Sequence, residues 1–201
     1  QSNATFVAVY PDFNLIDPAS QVVRRVAAPD FCYAAMLSEV VCPVGPGAFF
    51  RRSSYRLAGP WSSAFRQMPD YDFWLRMGLT GPIRRIPQIL ANFRVHPTSQ
   101  TYSVTTEARA DEVIKIVESL LDNQMANTLP AELKRNAQVS AFLVSAQLHI
   151  RAGRFRIAGE RLKQAVDTRR DAFISIRAVR LLFNAVFNRV SHRLLWTIRG
   201  L

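Results

Sequence analysis

Residues 69–76 read Pro69-Asp70-Tyr71-Asp72-Phe73-Trp74-Leu75-Arg76. A proline, two acids close behind it and a dense apolar run describe a helix N-terminus. The proline sacrifices no needed amide in the first turn, and the carboxylates face the positive end of the helix dipole. The helix is expected to end at 78–81, where two glycines precede Pro82. Strand-like and short helical segments alternate around it up to about residue 100, and from Glu107 on the apolar spacing is that of helices throughout. The expected fold class is therefore an α/β half, with a mixed sheet and helices, followed by an all-α region.

On the N-terminal side, 5–10 (TFVAVY) is apolar and β-branched and predicts a buried strand. Residues 11–17 carry turn formers, 21–26 predict a second short strand, and a helix is expected near 30–40. Residues 42–47 (CPVGPG) form a loop set by two prolines and two glycines. Residues 48–51 can pair as a strand. Ser53 or Ser54 can cap a short helix that stops at Gly59-Pro60. Beyond the opening helix, 82–86 and 89–95 predict two short strands. The Ser/Thr-rich stretch 99–106 marks a boundary, giving domains at 5–104 and 105–201. Residues 1–4 read as the remnant of an expression tag.

In the second half, Val113, Ile114, Val117, Leu120 and Leu121 fall at helical spacing, and Pro130 with Glu132 opens another helix. Ala146, Gly153, Phe155, Ala158 and Ala165 have the spacing of one tetratricopeptide-like helical hairpin. A stacked array would need several such units.

The formal net charge is +11, and most of it is local. From residue 151 onward there are twelve Arg or Lys against three acids, leaving +9 in the last quarter. Residues 172–201 are strongly apolar apart from a stripe at Arg177, Arg180, Asn184, Asn188 and Ser191. That composition fits a helix buried on its neighbour with arginines reaching for water, and equally an amphipathic helix on an anionic membrane surface. Nucleic acid is the weaker candidate partner, because the basic residues are interleaved with aliphatic ones and no nucleic-acid motif is present. No run of eighteen uncharged apolar residues exists in the sequence. Cys32 and Cys42 are too few for a disulfide framework and read as reduced thiols of a cytoplasmic protein.

Three features could carry chemistry. Asp70 and Asp72 are first of all capping acids, but a carboxylate at a loop–helix junction can also act as a general base. His96, in Phe93-Arg94-Val95-His96-Pro97, is by default a surface residue and alternatively a metal ligand. The 43–47 loop is a tight turn. Its Gly45 and Gly47 could also admit a ligand close to the backbone, though it lacks the lysine and hydroxyl of a phosphate loop.

Order and spacing add to these. The runs 9–17 (VYPDFNLID) and 22–25 (VVRR), then 47–52 (GAFFRR) with 57–61 (LAGPW), then 69–76 (PDYDFWLR), and last 90–97 (LANFRVHP) resemble, in sequence, four motifs of the inverting family-2 glycosyltransferases. The resemblance covers about half of the chain. It implies the acceptor-side part of a GT-A-like catalytic domain, acting in cell-envelope or surface glycan synthesis. In that reading Asp70 is the catalytic base, and Gly45, Gly47, Asp72, Trp74 and Arg76 belong to the acceptor site. His96 helps hold a divalent metal, Mn or Mg. The partners implied are a nucleotide-sugar donor and a glycan or lipid-linked acceptor, on the cytoplasmic face of a membrane. Two positions depart from the family pattern: Pro69 stands where an acid is usual, and Pro11 where a glycine is usual. The nucleotide-binding strands and the Asp-x-Asp motif are expected before Thr5, so residues 5–201 alone are expected to be inactive. The competing reading is a non-enzymatic helical interaction or membrane-surface module. A strand edge at 5–10 is expected to be exposed and able to pair with a second copy.

Overall fold

The structure, a computed structural model, describes residues 5–95 and 105–172. His96 and the tail beyond 172 lie outside the described residues. The chain divides into two compact units. Among the described residues the first holds 5–37, 41–64 and 68–95, and the second holds 38–40, 65–67 and 105–172. The fold class is mixed α/β.

The first unit is built on four strands, β1 (Ala8–Ile16), β2 (Val22–Val26), β3 (Phe49–Phe50) and β4 (Ile83–Arg94). Strand β1 is central. It pairs parallel with β4 along its whole length and antiparallel with β2 and β3. A strand has only two edges, so β2 and β3 share the one opposite β4, with β3 at Ala8 and Val9 and β2 from Phe13 to Ile16.

This arrangement corrects three expectations. Residues 11–17 were expected to turn, yet β1 runs through Pro11 to Ile16. Pro11 lies in the gap between the β3 and β2 pairings, where a residue without an amide hydrogen removes no ladder bond. The two short strands expected at 82–86 and 89–95 are one 12-residue strand. Its register jumps from Pro11↔Ile86 to Asp12↔Ile89 and then to Phe13↔Ala91. Pro87, Gln88 and Leu90 are thus bulged out rather than ending the strand. The edge expected at 5–10 is not free either, since Ala8 and Val9 are paired on both sides.

Three short helices complete this part of the sequence: α1 (Tyr33–Glu39), α2 (Arg52–Ala58) and α3 (Pro69–Leu79). Neither Ser53 nor Ser54 caps α2. Arg51 occupies the cap position without a side-chain bond, and Ser54 is buried inside the helix. Gly59 ends it at φ 80°, a left-handed value that suits glycine. Helix α3 has Pro69 in its first turn. It buries Tyr71, Phe73, Leu75 and Met77 completely, and with Tyr10, Met36 and Leu37 these form the core of the unit. The Tyr71 hydroxyl donates to the Met36 carbonyl at 3.2 Å, tying α3 to α1.

The second unit is helical: α4 (Glu107–Ala110), α5 (Glu112–Leu121), a 3₁₀ turn (Gln124–Thr128), α6 (Ala131–Ala152) and α7 (Phe155–Thr168). Helix α5 buries Val113, Ile114, Val117 and Leu120 of the expected stripe and Ile116 as well, while Leu121 is only half-buried. Helix α6 follows Pro130, carries Glu132 in its first turn and ends at Gly153, which adopts φ 80°. Helices α6 and α7 pack through Val139, Leu143 and Ala165, and again through Ile150 and Ala158. Alanine on the α7 side of both contacts leaves room for close approach.

Candidate functional site

The first turn of α3 presents Asp70 to solvent. Its Oδ1 accepts from the Tyr71 amide at 2.9 Å, so the acid covers one unpaired N–H at its own helix start. Cys42 lies within reach of its charge. Burial, with Asp70 adding to it, pushes the Cys42 thiol up to about 12.

The second acid of the turn is placed very differently. Asp72 is buried, and Arg76, one helical turn on, donates to it from Nη2 at 2.6 Å and from Nε at 3.2 Å. The rest of that guanidinium is used on three consecutive carbonyls. Nη1 donates to Ala58 and Gly59, and Nη2 to Pro60 at 3.0 Å. One planar fork thus fixes the end of α2 and the turn that follows it, which a point-charge ammonium could not do.

That turn delivers Trp61. Its ring stacks on Phe73 with 4.0 Å between centroids and 15° between planes. Phe50 meets both Phe73 and Trp74 edge-on, and Tyr55 stacks on Phe50. Trp74 is only 4 % exposed. Asp72, Trp74 and Arg76 therefore stand behind the surface that carries Asp70, as its supports.

The two glycines of the 43–47 loop serve the fold. A Cβ on Gly45 would lie 2.8 Å from the Phe13 ring, and one on Gly47 would lie 2.8 Å from the Ala91 methyl. The close approach these glycines permit is to the chain's own sheet, so the space expected for a ligand is filled by Phe13, Pro11 and Ala91.

A further carboxylate on β1, Asp12, is held by Arg85 of β4 in a two-pronged pair at 2.8 Å and 2.8 Å, with the Ala28 amide at 3.0 Å. The Arg85 guanidinium holds the Asp12 carboxyl below the usual carboxylate range. Burial, reinforced by Asp30, raises the neighbouring Tyr10 phenol to about 12. These groups lock β1 to β4.

The helical unit contains a polar centre that sequence reasoning missed. Asp111 Oδ1 accepts from Ser145 Oγ at 2.6 Å, from His149 Nε2 at 3.1 Å and from Arg161 Nε at 3.0 Å. Its Oδ2 accepts from Arg161 Nη2 at 2.6 Å. Burial would raise this carboxyl, but the bonds from Arg161, Ser145 and His149 outweigh it and bring the carboxyl down to about 2. Ser145 and His149 are completely buried. Serine, histidine and aspartate occur together, but the wiring is not that of a nucleophile. Ser145 donates to Asp111 and not to the histidine, and the other ring nitrogen is taken by Arg154. Next to Asp111, Glu112 is buried, and its Oε2 accepts the amides of Arg66 at 2.9 Å and Gln67 at 2.5 Å. The one trace of the centre in sequence is the i, i+4 spacing of Ser145 and His149; Asp111 and Arg161 lie too far along the chain to be tied to them.

Among the described residues, no group of three His, Cys, Asp or Glu side chains could hold a metal ion. They include no set that fits the divalent cation of the resemblance, and His96 lies outside them. No helix among the described residues is long and apolar enough to cross a membrane. A comparison with models of known protein families finds no match, and neither does a comparison with curated proteins.

Proposed function

We propose that the chain is the acceptor-side part of an inverting GT-A-type glycosyltransferase of family 2, with Asp70 as general base. The observation that carries the reading is the contrast within one helical turn. Asp72 is buried in a pair with Arg76, while Asp70 stays exposed on a helix start braced from behind by that pair and by Phe73 and Trp74. A base for a sugar hydroxyl needs this combination of an accessible carboxylate and a fixed backbone. Asp70 would take the proton as the acceptor oxygen attacks the anomeric carbon and the nucleoside diphosphate leaves from the opposite side. In the complete enzyme, Asp70→Asn should abolish transfer and leave the circular dichroism spectrum unchanged. Normal turnover by that variant would remove Asp70 from the role.

The α6–α7 hairpin belongs to the same proposal as a single tetratricopeptide-like unit, on the strength of the small residues at its contact. The basic tail from 172 is proposed to rest on an anionic membrane surface on the cytoplasmic side, near a lipid-linked acceptor. Flotation with anionic vesicles tests this, and loss of binding on truncation at 172 is the expected result.

A further inference from the structure

We infer that Trp61 is the platform on which the acceptor sugar ring lies, which makes it a specificity-determining residue beside Asp70. The inference rests on the proposed transferase reading and adds the substrate's contact surface to it.

Trp61 is 45 % exposed although its ring is stacked on the fully buried Phe73. One face of the indole is therefore spent on the core and the other is turned outward. A large aromatic that only filled the core would not be half in water. The stack also makes the ring rigid, because Phe73 cannot move without disturbing Phe50 and Trp74. Backbone rigidity comes from Arg76, which holds the carbonyls of the three residues just before Trp61. The Asp72–Arg76 pair thus fixes the ring as well as the turn.

Position supplies the second part. Asp70 and Phe73 are three residues apart on α3, with Cβ atoms about 5–6 Å apart. Trp61 covers Phe73, and so belongs to the same turn of the helix as Asp70. The charges of Arg76 and Asp72 are spent on one another. What the surface offers a ligand is an open π face next to a carboxylate. The ligand that fits is a pyranose with one face of axial C–H groups. Those slightly positive hydrogens meet the negative face of the indole, and a hydroxyl at the ring edge reaches Asp70.

The test uses the chain labelled with 5-fluorotryptophan. Its three tryptophans, Trp61, Trp74 and Trp196, give three ¹⁹F signals, and Trp61→Phe assigns the first. Methyl β-glucoside, methyl β-galactoside and methyl α-mannoside are titrated at millimolar concentration. At least one should shift the Trp61 signal and leave that of buried Trp74 in place. Trp61→Ala should weaken that binding about tenfold or more, whereas Trp61→Phe, which keeps the stack, should retain most of it. No response at Trp61 to any of the three, or equal affinity in Trp61→Ala, overturns the inference. The two readings fail separately. Transfer lost in Asp70→Asn with unaltered binding in Trp61→Ala leaves the base and removes the platform, and the reverse pattern leaves the platform and removes the base.

Discussion

Nδ1 of His149 accepts a hydrogen bond from Nε of Arg154 at 2.8 Å. Arginine can only donate, so the ring proton belongs on Nε2, which faces Asp111 at 3.1 Å. Arg154 also donates from Nη1 to the Thr105 carbonyl at 3.0 Å. Arg154 thereby joins the start of α7 to the His149 ring near the end of α6 and to Thr105, two residues before α4. His149→Ala would leave the half-buried Asp111 carboxylate and the Arg154 guanidinium each short of a partner. The expected loss is about 1–3 kcal/mol, read as a lower midpoint in urea, with Ser145→Ala losing less.

The same centre sets an acid limit. The folded Asp111 carboxyl is depressed to about 2, so its contribution is complete above the ordinary carboxylate value. That contribution is lost as pH falls from there toward 2, where the folded protein must also take up the proton. Urea melts at a series of pH values should show stability falling through this window. Asp111→Asn should be less stable at neutral pH and flatter below about pH 4.

Removing the fork at Arg76 should be costly. Arg76→Ala strands the buried Asp72 charge and frees the carbonyls of 58–60, with an expected loss of about 3 kcal/mol or more. Arg76→Lys should recover less than half of it, because an ammonium cannot serve the carboxylate and three carbonyls together. Thermal melts and the near-ultraviolet signal of the Trp61–Phe73 stack would report both.

Two glycines should respond with opposite sign. Gly47 has φ +82° and no room for a methyl group, so Gly47→Ala should destabilise by about 1–3 kcal/mol. Gly159 lies inside α7 with nothing within 4 Å of an added Cβ. There Gly159→Ala should stabilise by about 0.5–1 kcal/mol. Paired denaturant titrations check the two signs.

The cysteines should separate by reactivity. Cys32 is exposed, whereas the Cys42 thiol is held protonated by burial and by Asp70. Iodoacetamide at neutral pH should label Cys32 well before Cys42, because the thiolate is the attacking species. Asp70→Asn should quicken labelling of Cys42, as seen by peptide mass mapping.

Much of the helix pattern was legible because it rests on local rules. Pro69 with its acids, Gly59, and Pro130 with Glu132 announce their boundaries in a few residues. Strand extent was not legible. Pro11 and Pro87 read locally as breaks, yet β1 crosses the first where its edge toward β2 and β3 is unpaired and β4 carries the second in a bulge. Both solutions depend on which strands lie alongside, and no local window contains that information.

The candidate site divides in the same way. Asp70 and Asp72 are equivalent in sequence, two acids in one helical turn. Which one is free is decided by Arg76, and the reach of Arg76 is decided by the three carbonyls that α2 brings to it. Sequence by itself determined the starts of α3 and α6, the mixed α/β half followed by helices, and Asp70 as the acid to consider. Tertiary structure alone decided that Asp72 is a strut, that Gly45 and Gly47 serve the sheet, and that Asp111 gathers Ser145, His149 and Arg161. The physical reason is that helix ends are set by neighbouring residues, whereas a buried charge takes its partners from wherever the fold brings them.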